Sequence, residues 1–132
     1  MEFGKNAIIA KKQIMSVEAE NIENNDGYSA TGANPTIPDM TPSAQVRHMK
    51  HLQSGKSYPG MSMKEYVKKS GELARSKVEG DIDGYKASDG AIVRYNKKTN
   101  DWVKAYSLGV ASMYKPSRGM DYFNDTKKND GG

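Results

Sequence analysis

The chain has 132 residues, which is enough for one compact domain with a linker or tail and too few for two full domains. It contains no cysteine, which excludes a disulfide framework, a thiolate nucleophile and a cysteine-based metal site. Lysine and arginine total 20 against 16 acidic residues, and the resulting charge of +4 favours a nucleic acid or an acidic protein as partner, although so mild an excess is also common in proteins with neither.

The first 40 residues have the composition of a linker. Large apolar side chains are scarce there, and from Asn21 onward the chain is rich in Asn, Gly, Ser, Thr and Pro. Pro35 and Pro38 favour extended backbone before them, because the residue preceding a proline is driven out of the α region. We therefore expect residues 1–40 to be a linker that is partly disordered.

Two helices are predicted after this linker. The first has Thr41 as its N-cap and Pro42 at its first helical position, and it is expected to end near Gly55. The second begins with a capping box formed by Ser62 and Glu65. Apolar side chains then recur at helical spacing, so this helix has one face to pack on a sheet.

The following segment is typical of a basic β-meander. Gly80 and Gly84 are expected to mark the loop that leads into it. Strands are predicted over residues 91–95, 101–107 and 110–115, with turns between them at 96–100 and 108–109. Arg94, Lys104 and Lys115 place one cation in each strand, so one face of the sheet should be electropositive and suited to a phosphate-bearing partner.

These elements predict the fold class and the division of the chain. The fold is expected to be α+β, with a small antiparallel β-sheet and N-terminal helices packed on it. The domain should span residues 41–123, and residues 124–132 should form a mobile tail. No apolar run approaches the roughly 20 residues that cross a bilayer, so no membrane-spanning segment is predicted.

His48 and His51 are the two histidines of the chain, and they lie three residues apart on the first predicted helix. As catalysts, they could take a proton from a ribose 2′-hydroxyl or return one to the leaving oxygen. As metal ligands, they would need a third protein group, which no tight cluster in the sequence supplies. Both could also be half-buried structural residues, and the sequence leaves this alternative open.

Cations and hydroxyls in the meander form a second candidate group. Arg94 and Lys115 could hold a phosphate as it gains negative charge, or they could form salt bridges with carboxylates such as Asp89 or Asp121. Thr99 could donate a hydrogen bond to a phosphate oxygen or simply close its turn. Ser112, Lys97 and Lys98 complete the set of candidate phosphate or substrate contacts.

Aromatic side chains alternate with these cations. RNA bases commonly stack on such rings, although aromatic residues in a small sheet more often belong to its core. We assign Trp102 to the core and keep Tyr122, which follows the turn at Gly119, as a candidate substrate contact.

Several motifs occur in one order along the chain: His48-Met49-Lys50-His51, Lys64-Glu65-Tyr66, Arg94-Tyr95-Asn96-Lys97-Lys98-Thr99-Asn100 and Ser112-Met113-Tyr114-Lys115-Pro116. In this order the chain resembles the C-terminal nuclease domains of contact-dependent growth-inhibition (CdiA-type) toxins, within the barnase/EndoU/colicin/RelE-like ribonuclease group. The resemblance covers residues 41–123 and departs from the family pattern at Ser112, where threonine is expected, and at Tyr114, where phenylalanine is expected. Upstream, Ile22-Glu23-Asn24-Asn25 is similar to the Val-Glu-Asn-Asn sequence that precedes the variable toxin region in such proteins.

This resemblance implies a metal-independent endoribonuclease with tRNA as substrate and no cofactor or metal. The 2′-oxygen would attack the adjacent phosphorus and leave a 2′,3′-cyclic phosphate. His51 would be the general acid or base, Arg94 and Lys115 would clamp the transition state, and Thr99 and Ser112 would position the phosphate. The predicted substrate contacts are His48, Lys97, Lys98 and Tyr122.

The resemblance also implies a biological setting. The chain would be part of a secreted or cell-surface bacterial protein, delivered into the cytoplasm of a target cell to inhibit its growth. A cognate immunity protein would protect the producing cell.

Two other functions remain open at this point. The chain could be a non-catalytic nucleic-acid-binding module, in which the same cations hold phosphates and the histidines are incidental. It could also be a protein-interaction domain of a larger surface protein, in which the charge has no role.

Overall fold

A four-stranded antiparallel sheet lies between two N-terminal helices and one C-terminal helix in the computed structural model, which describes residues 27–132. The elements in chain order are α1 (Pro42–Ser54), α2 (Met63–Arg75), β1 (Ile82–Lys86), β2 (Ile92–Asn96), β3 (Asp101–Tyr106), β4 (Gly109–Tyr114) and α3 (Met120–Asn129). The predicted α+β fold with helices packed on an antiparallel sheet is confirmed. The Ile22-Glu23-Asn24-Asn25 motif and the rest of residues 1–26 lie outside the described residues.

The predicted starts of α1 and α2 are confirmed by their caps. The side chain of Thr41 accepts a hydrogen bond from the Ala44 amide at the start of α1, and Gly55 ends that helix in the left-handed conformation, with φ of 66°. At the start of α2, Ser62 and Glu65 make both bonds of the capping box. Local sequence chemistry therefore fixes where these two helices begin.

The sheet is a simple meander in the order β1-β2-β3-β4. Strand β1 occupies a segment that was predicted to be a loop because of Gly84. In the sheet, Gly84 lies opposite Arg94 of β2, and a Cβ atom at Gly84 would come within 2.6 Å of that guanidinium and of the Val93 carbonyl. This glycine therefore makes room for a long side chain across the sheet and does not mark a turn.

Each face of the sheet has its own apolar core. The core beneath α1 and α2 is built mainly from Tyr66, Ile92, Val103, Val110 and Met113. The core beneath α3 is built mainly from Tyr85, Val93, Tyr95, Trp102 and Phe123. Successive strand residues point to opposite faces of the sheet. Two strand side chains can therefore share a surface site only if they lie on the same face.

Helix α3 replaces the mobile tail that was predicted over residues 124–132. It is held by Phe123, which is 1% exposed, and by a 2.6 Å hydrogen bond from the Tyr85 hydroxyl to Asp130. Burying a phenylalanine side chain contributes about 2–3 kcal/mol. Aromatic packing and tertiary hydrogen bonds to distant strands leave little trace in the local sequence pattern, which explains why this helix was not predicted.

The domain begins earlier than the predicted start at residue 41. Ile37 and Met40 are buried in the core beneath α1 and α2, at 2% and 3% exposure. The Asn34 amide donates to the Arg75 carbonyl, and the Val110 amide donates to the Pro38 carbonyl. Residues 27–40 are therefore packed on the domain, whereas the sequence predicted a linker there. None of the helices within residues 27–132 has the length and apolarity needed to cross a membrane.

Candidate functional site

Four side chains contact the carboxylate of Asp101, the first residue of β3, at the edge of the sheet. Asp101 is 1% exposed, and its carboxylate accepts hydrogen bonds from the Tyr58 hydroxyl at 2.8 Å, the Thr99 hydroxyl at 2.7 Å and the Lys115 ammonium at 3.0 Å. Lys69 of α2 forms an ion pair with the same carboxylate at 3.4 Å. We refer to these five residues as the Asp101 cluster.

The Asp101 cluster carries a net positive charge. Burial alone would raise the pKa of Asp101, but hydrogen bonds from Thr99, Lys115 and Tyr58 outweigh burial and hold this pKa below its usual value. The carboxylate is therefore ionised at neutral pH and faces two ammonium groups. Because the side chains of Lys115 and Lys69 remain 28% and 40% exposed, a solvent-borne anion can reach both.

Aromatic rings connect the Asp101 cluster to the histidines of α1. Tyr58 packs edge-on against Tyr66 at 5.4 Å, Tyr66 lies 6.0 Å from His48, and His48 lies 5.9 Å from His51, all measured between ring centroids. The Tyr66 hydroxyl also donates to the Met113 carbonyl, which ties α2 to β4. Burial raises the pKa of Tyr66 to about 12, and burial together with the charge of Asp101 raises that of Tyr58 further. Neither phenol can serve as a base at neutral pH.

The two histidines differ in their surroundings. The Nε2 atom of His48 lies 3.1 Å from the Ala111 carbonyl, and since a carbonyl only accepts, this nitrogen carries a proton. The Nδ1 atom of His48 is buried without a hydrogen-bond partner, and burial lowers the pKa of the ring. His51 is exposed and contacts the His48 ring. His51 is therefore the histidine that is open to solvent, whereas His48 joins α1 to β4.

The half-buried, neutral His48 should make the stability of the domain depend on pH. Its folded-state pKa lies below its ordinary value of 6.5, so this histidine binds a proton more tightly in the unfolded chain than in the native state. Stability from this residue is present above about pH 6.5 and is lost as the pH falls through the folded-state pKa. Urea unfolding of the wild type between pH 7.5 and 5.5 should show this loss, and the His48→Gln variant should show a smaller one. The His51→Gln variant is the matched control, and an unchanged pH dependence in His48→Gln would contradict this assignment.

Arg94 does not belong to the site. Its side chain is fully buried, and its guanidinium donates to the Ser76 carbonyl at 2.9 Å, the Val93 carbonyl at 2.9 Å and the Gly32 carbonyl at 3.1 Å. Burial lowers the pKa of Arg94 to about 10. In place of the predicted phosphate clamp, Arg94 joins residues 29–32 and the end of α2 to the sheet, and it presents no donor to a surface phosphate.

Two of the remaining predicted residues, Ser112 and Tyr122, lie on the α3 face of the sheet. Ser112 pairs with Lys104 across the strands and points away from its neighbour Met113, so it lies on the α3 face. Tyr122 is on that face as well, because its hydroxyl lies 2.6 Å from the Tyr114 hydroxyl. The structure therefore separates both predicted contacts, Ser112 and Tyr122, from the Asp101 cluster.

The β2–β3 turn places the other two predicted substrate contacts beside the site. Lys97 and Lys98 are exposed in this turn, and the next residue is Thr99 of the Asp101 cluster. The side chain of Asn96 shapes the turn by accepting hydrogen bonds from the amides of Lys98 and Thr99. These lysines thus add positive charge next to Lys115.

Three members of the Asp101 cluster were not predicted. Asp101 lies two residues after Thr99 at the end of a basic turn, and this spacing is the one feature of the sequence that could have indicated it. Tyr58 lies in the loop between α1 and α2 and Lys69 on a helix rich in lysine, where nothing distinguishes either residue. The cluster forms where Lys69 of α2, the loop residue Tyr58 and the β2–β3 turn meet the first residue of β3.

Within residues 27–132, no group of three histidine, aspartate or glutamate side chains is arranged to hold a metal ion.

The comparisons with known proteins add no further assignment. No family model, curated protein or solved structure matches the chain, so the resemblance to CdiA-type toxin domains rests on the sequence motifs.

Proposed function

We propose that this chain is an antibacterial toxin domain that acts as a metal-independent endoribonuclease, with tRNA as its substrate. The Asp101 cluster is the observation that carries this proposal, because it holds two partly exposed ammonium groups beside an exposed cationic turn. Such a group is suited to bind one phosphate of a nucleic acid and to stabilise the charge that develops on it.

The proposed reaction uses His51 and the lysines. His51 accepts the proton of a ribose 2′-hydroxyl, and the 2′-oxygen forms a bond with the adjacent phosphorus. The bond from phosphorus to the 5′-oxygen breaks, and this oxygen takes a proton from solvent. The products are a 2′,3′-cyclic phosphate and a 5′-hydroxyl. Lys115 and Lys69 stabilise the negative charge that develops on the phosphate oxygens in the transition state.

Thr99 has a different role from the one the sequence predicted. Its hydroxyl donates to Asp101 at 2.7 Å, so its proton is not available for a phosphate oxygen. The Lys115 ammonium also donates to the Thr99 backbone carbonyl at 2.8 Å. Thr99 is therefore a positioning residue that fixes the carboxylate and the ammonium in one geometry.

A partner and a setting follow from this proposed function. A ribonuclease of this kind would damage the cell that makes it, so the proposal includes a cognate immunity protein with an acidic surface that covers Lys97, Lys98 and Lys115. The domain would act in the cytoplasm of a target cell after delivery from a larger secreted or cell-surface protein.

Incubation of the purified domain with total bacterial tRNA in EDTA tests the proposed activity. Discrete fragments on a denaturing gel are expected. Intact tRNA in EDTA and also with magnesium would contradict the proposal. If tRNA is bound without being cut, and the affinity falls steeply with salt, the non-catalytic nucleic-acid-binding function takes its place.

A further inference from the structure

A surface groove lies between α1 and α2. It consists of two adjoining cavities of about 720 Å³ and 290 Å³, and Met63 lines both. We refer to the two cavities together as the α1–α2 groove. None of its lining residues belongs to the Asp101 cluster or takes part in the proposed reaction. A molecule bound in this groove would therefore leave the Asp101 cluster uncovered.

The floor of the α1–α2 groove is apolar and rich in methionine. Leu52, Met61, Met63 and Val67 are half-buried there and pack against the core beneath α1 and α2. Met49 lines the same groove and is 45% exposed. Methionine side chains are flexible and polarizable, so they adapt to the shape of an apolar partner. This floor is suited to apolar side chains and offers nothing to a phosphate.

Cations predominate among the unpaired charges that line the groove. Lys64 and Lys68 are exposed on its α2 side, and neither forms an ion pair within residues 27–132. They lie four residues apart on one side of the helix, about 6 Å along its axis. At one end of the groove, Asp39 is paired with Arg75 at 2.9 Å, so Glu72 is the unpaired acidic residue of the described lining. Two unpaired lysines against one carboxylate favour an acidic partner.

We infer that the α1–α2 groove binds an acidic amphipathic helix of a partner protein. A helix laid along α2 from Met63 to Arg75 would follow it for about 18 Å, which corresponds to about 12 residues. The apolar face of the partner helix packs on the methionine-rich floor. Carboxylates four residues apart beside that face pair with Lys64 and Lys68.

Two helix-forming peptides test the inference on the full chain, with fluorescence anisotropy as the measurement. Both peptides have about 14 residues and the same leucine face. In the acidic probe, glutamates four residues apart flank this face, and in the basic probe lysines replace them. The acidic probe should bind about 10-fold more tightly than the basic probe. The Lys64→Glu/Lys68→Glu variant should reverse this preference, because its groove attracts lysine side chains.

Two more variants make this test specific. Lys127→Glu/Lys128→Glu is the matched control, because it makes the same change of net charge at exposed positions of α3, away from the groove. This control should keep the preference for the acidic probe. Met49→Gln removes an apolar contact at an exposed position and should weaken the binding of both probes by about 5-fold.

Three results would overturn the inference. The first is equal binding of the two probes, or an unchanged preference in Lys64→Glu/Lys68→Glu. The second is a loss of tRNA affinity in this variant while the acidic probe still binds, which would assign both lysines to RNA. The third is a dimer of the chain alone in sedimentation equilibrium that Met49→Gln dissociates, which would assign the groove to a second copy. A reversed preference in Lys64→Glu/Lys68→Glu, with the α3 control unchanged, is the result that supports the partner helix.

Discussion

Replacement of Arg94 by alanine should destabilise the domain by about 3–5 kcal/mol, which is a large part of the stability of a small domain. Among residues 27–132 the guanidinium has no carboxylate partner, and it is held by backbone carbonyls, including those of Ser76 and Gly32. Without it, these partly buried acceptors lose hydrogen bonds at about 1–3 kcal/mol each, and the removed side chain leaves a cavity. Urea unfolding followed by circular dichroism would measure the loss.

Two further variants make this test specific. Arg94→Lys should also be destabilised, because one ammonium cannot reach carbonyls on residues 29–32, on Ser76 and on Val93 at once. Lys97→Ala, on the exposed β2–β3 turn, should change stability by no more than about 0.5 kcal/mol. If Arg94→Ala were as stable as the wild type and had lost affinity for RNA, Arg94 would be the phosphate contact that the sequence first predicted.

The second large effect is expected for His51→Ala, which should slow tRNA cleavage by about 10²–10⁴-fold. His51 is exposed on α1, whereas His48 is committed to the Ala111 carbonyl, so the proposed reaction assigns the proton transfer to His51. The affinity for uncleaved RNA should change little, because contacts between cations and phosphates dominate it. Single-turnover cleavage and filter binding would measure the two quantities separately.

Gln53→Ala is the matched control for His51→Ala, since Gln53 is an exposed residue of the same helix. It should leave both the cleavage rate and the affinity for RNA near the wild-type values. A His51→Ala variant that cleaves at the wild-type rate would remove His51 from the reaction. Equal losses in binding and cleavage would make His51 a substrate contact and not a proton-transfer group.

The parts of the fold that depend on local chemistry could be predicted from the sequence. Thr41 with Pro42, and Ser62 with Glu65, mark the helix starts because each cap is formed within a few residues. Strand β1 and helix α3 were missed because tertiary contacts define them. Gly84 is required by the Arg94 side chain across the sheet, and α3 depends on the burial of Phe123.

The candidate site was predicted only in part, for a related reason. Lys115 and Thr99 lie together as their motifs suggested, because both flank the edge of the sheet where β3 begins. Arg94 was assigned to the surface because it is a cation in a strand, yet the register places it inward. Strand periodicity shows which residues share a face, but the packing of α2 and of residues 27–40 decides whether that face meets solvent.

The chemistry of the fragment ends tests the proposed mechanism most directly. Total tRNA cut by the wild type in EDTA should yield fragments that end in a 2′,3′-cyclic phosphate, with a 5′-hydroxyl on the other side of the cut, and His51→Ala should yield almost none. Fragments with a 5′-phosphate and a 3′-hydroxyl, or cleavage that appears only when a metal ion is added, would contradict attack by the 2′-oxygen.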